Sequence, residues 1–160
     1  MIHPAQALGN YLKKNNLTVA FAESITCGLV THRLGNIIGA SAFLKGGIIC
    51  YNEWIKCSVL NVKKTTLKKH TAESQEVTDV LAKNLRNIIE ADIHGAITGL
   101  ASAGGSEAPG KPVGTVFYAF YYNNKIYRLK KQFTGSPLSV KIKACNEFYN
   151  FILEELANEL

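Results

Sequence analysis

The spacing of hydrophobic residues along the chain changes several times between the period of a helix and that of a strand. Short apolar runs rich in β-branched residues predict buried strands at "LTVAFA", "FLKGGIICY" and "DIHGAITGL". Two aromatic and β-branched runs around Asn123–Asn124 predict a hairpin. Helical spacing predicts helices from Pro4 to Asn15, from Ser24 to Leu34, in "NEWIKCSVL" and "TTLKKH", through "SQEVTDVLAKNLRNIIEA", and from about Pro137 to Leu160.

This alternation predicts an α/β fold, a three-layer α/β/α sandwich with a mixed sheet and helices on both faces. With 160 residues, 47% of them hydrophobic, and no change of composition along the chain, we expect a single domain over residues 1–160. The N-terminal segment has no signal-like pattern, and no run approaches the roughly 18 apolar residues of a membrane span. We therefore expect a soluble, cytoplasmic protein without a membrane partner.

Cysteine spacing and charge narrow the possible functions. Cys27, Cys50, Cys57 and Cys145 form no CxxC pair and have no histidine at zinc-site spacing, so we expect reduced thiols and no metal. The net charge of +6 is compatible with nucleic acid, but the lysines occur as scattered pairs. We interpret them mainly as solvated surface, which leaves room for a small anionic ligand.

Ser24 lies between a predicted strand and a predicted helix, in "FAESITCGL". Serine is common at helix N-termini, so the position alone suits a cap as well as a nucleophile. Loops at the carboxyl ends of strands in open α/β sheets usually bind ligands. The glycine- and proline-rich "ASAGGSEAPGKP" is a second candidate ligand loop.

Four stretches in order, "AESITCG", "YNEWIK", "TGLASAGG" and "KPVGTV", resemble the C-terminal domain family of the competence/damage-inducible protein CinA. The resemblance covers nearly the whole chain from Leu17 onward. Active members of that family are nicotinamide-nucleotide amidohydrolases of pyridine nucleotide salvage. The resemblance thus implies hydrolysis of the carboxamide of nicotinamide mononucleotide to nicotinate mononucleotide and ammonia, without a metal or cofactor.

The resemblance also implies roles for individual residues. Ser24 corresponds to the family's serine nucleophile, Lys56 to its lysine, and Tyr51 to its tyrosine. Candidate substrate-binding residues are Glu23, Thr26, Cys27, Gly28, Thr98, Gly99, Ala101, Gly104, Gly105, Lys111 and Lys141. A homo-oligomer, a dimer or a trimer, is expected as well.

This set is chemically reasonable. A serine attacking an amide must lose its proton, and a lysine whose pKa is lowered by burial can accept it. Backbone N–H groups around Thr26 and Cys27 could stabilise an oxyanion or bind a phosphate, and those of Gly104 and Gly105 could also bind a phosphate. The sequence does not allocate these amides between the two roles. His32 and His70 are less favoured partners for Ser24, and Cys27 is a less favoured nucleophile.

The chain departs from the family at several of these positions. Cys27 replaces a glycine, Ser102 and Ala103 replace a glycine-proline pair, and Lys141 replaces an arginine. A lysine is a point charge and lacks the two-pronged geometry with which arginine binds phosphate. Two alternatives therefore stay open: a weak or inactive module that binds nucleotides or phosphometabolites, and a nucleic-acid-associated competence factor.

Overall fold

A five-stranded sheet forms the centre of the computed structural model, which describes residues 2–159. Its strands are β1 (Val19–Glu23), β2 (Leu44–Ile49), β3 (Ile93–Gly99), β4 (Thr115–Tyr122) and β5 (Lys125–Gln132). They lie in the order β2-β1-β3-β4-β5. β2, β1 and β3 are parallel, whereas β4 and β5 are antiparallel to their neighbours. The predicted mixed sheet is confirmed.

Helices cover both faces of this sheet. They are α1 (Pro4–Lys14), α2 (Leu29–Gly35), α3 (Glu53–Ser58), α4 (Lys64–His70), α5 (Gln75–Leu85) and α6 (Pro137–Asn158), with a short 3₁₀ turn at Ala40–Ala42. The predicted end of the last helix at Leu160 lies outside the described residues. α5 is shorter than predicted, because the N–H groups of Asn87 and Ile88 bond three residues back and tighten the chain into turns.

The two faces of the sheet have different packing. Phe21 on β1 and Tyr118 on β4 contact Phe148 of α6 through tilted and edge-on rings. The opposite face carries the small residues Ala20 and Ala22 of β1, which belong to the same buried cluster as the apolar side of α5. Alternation of large and small residues along one strand therefore produces the three layers.

The glycine pair of β2, Gly46 and Gly47, has two effects on the sheet. Register between β1 and β2 shifts where Val19 pairs with Leu44 and Ala20 pairs with Gly46, which is a bulge. At Gly47 a Cβ atom would lie 2.6 Å from the Thr31 hydroxyl, so a glycine lets α2 approach the strand closely.

Three further observations complete the description of the fold. Asn123 and Asn124 both adopt positive φ, as a two-residue hairpin turn requires, so the predicted hairpin is confirmed. The four cysteines are free thiols in this structure. Within residues 2–159, no helix is both long enough and apolar enough to cross a membrane.

Candidate active site

Ser24 immediately follows β1, at the carboxyl end of the parallel strands. Its N–H donates to the carbonyl of Ile97 (3.0 Å) and so prolongs the pairing of β1 with β3. α2 begins only at Leu29, and its N-cap is Gly28, not Ser24. The alternative in which Ser24 caps this helix is therefore wrong, and its buried hydroxyl is available for another role.

The helix start is delayed because residues between Ser24 and Leu29 form a turn. Cys27 and Gly28 have φ values of 49° and 95°, which are not helical. The N–H of Cys27 donates back to the carbonyl of Ser24 at 3.1 Å. Cys27 itself is exposed and does not line the cavity described below.

The Glu23 carboxylate stabilises this turn by accepting hydrogen bonds from it. Its buried carboxylate accepts hydrogen bonds from the hydroxyls of Thr26 (2.6 Å) and Thr31 (2.7 Å). It also accepts the backbone N–H groups of Gly28 (3.0 Å), Val30 (3.0 Å) and Thr31 (2.7 Å). Glu23 and Thr26 were predicted to bind substrate, but the structure uses both to shape the loop that carries Ser24.

Lys56 lies beside Ser24 and belongs to the helix that follows the neighbouring strand, β2. It lies on α3, which begins after the Asn52 side chain accepts the N–H of Trp54 at 2.8 Å. The Lys56 side chain is 1% exposed, and its Nζ lies 3.0 Å from the Ser24 Oγ. Nζ also donates to the carbonyl of Cys50, which fixes the amine beside the serine.

The surroundings of Lys56 favour its neutral form. Burial lowers the pKa of the ammonium below its ordinary value of 10.5. Electrostatic interactions with Cys50, Glu73 and Glu53 raise the pKa of Lys56 and so oppose this change without reversing it. A neutral amine in hydrogen-bond contact with a serine hydroxyl can act as a general base.

Tyr51 does not share this buried position. Its side chain is 64% exposed and lies on the wall of the cavity. Among residues 2–159 its phenol has no hydrogen-bond partner, and it is the Cys50 carbonyl that orients Lys56. In this structure Tyr51 is therefore placed to contact a ligand rather than the lysine.

A cavity of about 240 Å³ opens over Ser24. It brings together Ser24, Tyr51, Gly99, Ala101, Gly104, Gly105 and Lys141 from the predicted set, along with Ile25, Glu73, Leu100, Ser102, Ala103 and Pro137. Sequence reasoning had not singled out Ile25 or Glu73. The sequence singles out Ile25 only by its position next to Ser24. It singles out Glu73 only by its position just before the N-cap of α5, in "HTAES".

Two other predicted substrate-binding residues lie behind the cavity wall. Thr98 is fully buried, and its hydroxyl lies 2.8 Å from that of Thr78 on α5. Lys111 donates to the hydroxyls of Thr71 and Ser106, both at 2.7 Å, and to the carbonyl of Glu73 at 3.0 Å. Lys111 thus fastens the glycine-rich loop to the segment before α5.

Few backbone N–H groups between Ser24 and the first turn of α2 are free to donate to an oxyanion. The N–H groups of Gly28, Val30 and Thr31 are taken by Glu23, and that of Cys27 by Ser24. Within residues 2–159, the N–H groups of Ile25 and Thr26 have no acceptor. These two amides, rather than that of Cys27, are the candidate oxyanion donors.

The Gly104–Gly105 amides already bind an anion of the chain itself. The Glu107 carboxylate accepts the N–H of Gly104 at 2.7 Å. Hydrogen bonds from backbone N–H groups, its own first and then those of Gly104 and Gly105, lower the pKa of Glu107. A carboxylate therefore occupies one of the two positions predicted to be able to bind a phosphate.

The remaining candidates have other partners. His70 Nδ1 lies 3.4 Å from a Glu76 oxygen, and His32 Nε2 lies 3.3 Å from the Asn36 amide, so neither contacts Ser24. No three His, Cys, Asp or Glu side chains in residues 2–159 are grouped to hold a metal ion.

Comparison with known proteins agrees with this fold. The family model "CinA C-terminal domain" matches residues 2–156. This chain belongs to the CinA C-terminal domain family. It is 39% identical over 138 residues to a CinA-like protein of Petrotoga mobilis, covering 86% of this chain and 34% of that protein. A CinA-like protein of Thermotoga neapolitana is 36% identical over 133 residues, which cover 83% of this chain and 32% of that protein.

Solved structures of CinA proteins have the same fold. The crystal structure of the competence damage-inducible protein A from Klebsiella pneumoniae superposes with a TM-score of 0.91 at 27% identity. The match covers 96% of this chain and 95% of that one. The chain spans about a third of the length of the curated relatives it matches.

The structure shows how this CinA domain accommodates its departures from the family pattern. Cys27 adopts the left-handed conformation that a glycine would favour. Ser102 does not have positive φ, and the loop uses Gly104 (φ 93°) instead. Lys141 lies on the cavity wall, one turn after the start of α6.

Proposed function

We propose that this chain is an amidohydrolase that converts nicotinamide mononucleotide to nicotinate mononucleotide and ammonia. The observation that carries the proposal is the buried contact of 3.0 Å between Lys56 Nζ and Ser24 Oγ at the base of a cavity. A paired serine and neutral amine is the minimum set for attack on an amide.

The contacts support the following sequence of steps. Neutral Lys56 takes the proton of the Ser24 hydroxyl while Oγ attacks the carboxamide carbon. The oxyanion that forms accepts hydrogen bonds from the N–H groups of Ile25 and Thr26. The Lys56 ammonium then protonates the leaving nitrogen, which departs as ammonia and leaves an ester on Ser24. A water molecule, deprotonated by Lys56, hydrolyses that ester to release the carboxylate product.

Binding of the nucleotide uses the rest of the cavity. Tyr51 offers an exposed aromatic ring to the base or ribose, and Lys141 is the cation on the cavity wall for the phosphate. Neither is part of the proton-transfer chain. Changes at these two residues are expected to alter KM more than kcat.

The direct test is ammonia release from nicotinamide mononucleotide by the purified protein. We expect Ser24→Ala to abolish turnover and Lys56→Met to reduce kcat by about 10²–10⁴-fold, as for the loss of a general base. The exposed residues Ser58 and Lys69 provide matched controls, and Ser58→Ala and Lys69→Met should keep wild-type rates. Circular dichroism checks that each variant is folded.

A second candidate function is a nucleotide-binding module without catalysis. It is favoured by Ser102, Ala103 and Lys141, which line the cavity at positions where the family resemblance implies a glycine-proline pair and an arginine. Calorimetry distinguishes the two functions. Binding of nicotinamide mononucleotide by the wild type, with no ammonia released at high enzyme concentration, would contradict the amidohydrolase and support the binding module.

A further inference from the structure

A second cavity, the α3–α4 groove, lies between the two short helices that follow β2. Its volume is about 500 Å³, which is within the range of small-molecule pockets. Its lining includes Glu53 and Trp54 of α3 and Lys64, Leu67 and Lys68 of α4. Within residues 2–159, it has no lining residue in common with the cavity over Ser24. The groove is therefore a candidate site of its own.

Trp54 presents an unusually exposed aromatic ring in this groove. Its side chain is 66% exposed, whereas tryptophan is highly buried on average because its apolar area is large. Leu67 of the facing helix also lines the groove and adds apolar surface. An exposed indole can stack any planar base, because every base has a π-face. One side of the groove therefore suits a nucleobase.

The other side of the groove is positively charged. Lys64 and Lys68 are four residues apart on α4, so their side chains lie on the same face of the helix. The sequence of α4 contains no acidic residue. Among residues 2–159, every ion pair within 4.0 Å joins other groups, so neither ammonium is paired with a carboxylate, Glu53 included. Two positive charges against one negative charge in the lining favour an anion.

We propose that the α3–α4 groove binds a free nucleoside diphosphate. The base stacks on Trp54, and the two phosphoryl groups pair with Lys64 and Lys68, which are one helical turn apart. Glu53 is the acceptor in the lining for the ribose hydroxyls. A flat ring joined to an anionic tail matches an apolar side facing a positive side. The inference does not depend on the proposed function, because it uses none of the residues over Ser24.

The test uses Trp54 as its own probe, because it is the one tryptophan in the sequence. Quenching of its fluorescence by ADP measures binding at the groove directly. We expect saturable quenching that weakens as salt is added, since the ammonium groups are exposed to solvent. Adenosine lacks the phosphates and inorganic pyrophosphate lacks the base. Each should displace ADP only at about tenfold or more the concentration of unlabelled competing ADP.

Substitutions in the groove should weaken this binding. We expect Lys64→Met and Lys68→Met each to weaken binding of ADP about threefold to fivefold, in line with the loss of one solvated charge pair. Lys69→Met is the matched control, because this neighbouring lysine is exposed and lies outside the lining. Trp54→Leu, measured by titration calorimetry, should weaken binding about tenfold through the loss of stacking. Thermal melting checks that each variant is folded.

Four results would overturn the inference. The first is the absence of saturable quenching by ADP. The second is binding that is lost in Lys141→Met and kept in Lys64→Met and Lys68→Met, which would place the nucleotide in the cavity over Ser24. The third is quenching by oligothymidylate that tightens with strand length and is not displaced by ADP. The fourth is Trp54 emission typical of a buried indole that shifts on dilution, because a second copy of the chain would then cover the groove.

Discussion

At the scale of single residues, the chemistry depends on buried groups whose surroundings change their properties. Ser24 and Lys56 are both nearly inaccessible, and their contact excludes the water that would otherwise solvate an ammonium. Ordinary serines and lysines lie at the surface, where neither is a useful nucleophile or base. The environment, not the residue type, makes this pair a candidate catalytic dyad.

The first prediction at this scale concerns pH. Because burial lowers the pKa of Lys56, the neutral base should appear, and kcat/KM for ammonia release should rise, at a lower pH than the ordinary lysine value of 10.5 allows. Glu53 opposes the shift, so Glu53→Gln should move the rise to still lower pH.

Measurement of the pH–rate profile checks both statements. Glu90→Gln, at an exposed residue, is the control and should leave the profile unchanged. A rise centred at the ordinary lysine pKa, or a move to higher pH in Glu53→Gln, would show that Lys56 is not the base.

The second prediction concerns Glu23. Its two carboxylate oxygens accept five hydrogen bonds, and a glutamine would present an NH₂ group to some of the same donors. We expect Glu23→Gln to lower the free energy of unfolding by roughly 2–4 kcal/mol, the cost of leaving buried donors unpaired. Activity should also fall, since the Ser24 loop loses its support.

Urea denaturation and ammonia release measure these two effects. Glu154→Gln, at an exposed glutamate of α6, should change the free energy of unfolding by less than about 0.5 kcal/mol. Comparable stability of Glu23→Gln and the wild type would mean that the carboxylate does not organise the turn.

At the scale of elements, the site is assembled where three strand ends meet. Ser24 follows β1, Lys56 lies on the helix after β2, and Gly99 ends β3, so adjacent parallel strands bring together residues far apart in sequence. The glycine-rich loop after β3 closes the cavity from the other side. Its own contacts therefore influence what the cavity can bind.

The Glu107 carboxylate, which binds a backbone N–H of this loop, leads to a prediction about ligand binding. If Glu107 competes for the Gly104 and Gly105 amides, Glu107→Gln should tighten binding of anionic ligands, because a neutral acceptor bonds less strongly to the amides. We expect inorganic phosphate to inhibit the variant at a roughly threefold to tenfold lower concentration than the wild type.

Inhibition of ammonia release by phosphate is the measurement, with Glu90→Gln as the control. Weaker inhibition in Glu107→Gln would indicate that the carboxylate supports the loop instead of competing with the ligand.

At the scale of the whole molecule, the charges of the β4–β5 hairpin are largely paired. Lys125 contacts Glu159, Arg128 contacts Asp79, and Lys131 contacts Glu147, at distances of 2.8, 2.6 and 3.0 Å. Pairing reduces the local positive field that phosphate backbones would recognise.

The expected dimer or trimer stays a prediction, for sedimentation measurements to test.

The prediction that follows concerns nucleic acid. We expect no retained complex with double-stranded DNA in an electrophoretic shift assay at physiological salt, despite the net charge of +6. Retention that weakens steeply as salt is added would instead support the competence-factor alternative.

Most of the fold could be predicted from the chain, since it is encoded locally. The five strands, the hairpin turn at Asn123–Asn124 and α1 follow from the period of apolar residues and from turn chemistry. Boundaries that depend on contacts with distant residues could not be predicted. The start of α2 is the clearest case, because it depends on how the Glu23 carboxylate binds the following turn.

The sequence by itself determined the element types, the family resemblance, and the choice of Ser24, Tyr51 and Lys56 as candidates. Only the tertiary structure decided their arrangement: Lys56 is buried against Ser24, Tyr51 is exposed, and Lys111 lies behind the wall. It also placed Glu73 in the cavity. Periodicity reports local geometry, whereas burial, pKa and hydrogen-bond partners depend on which distant segments the sheet order brings together.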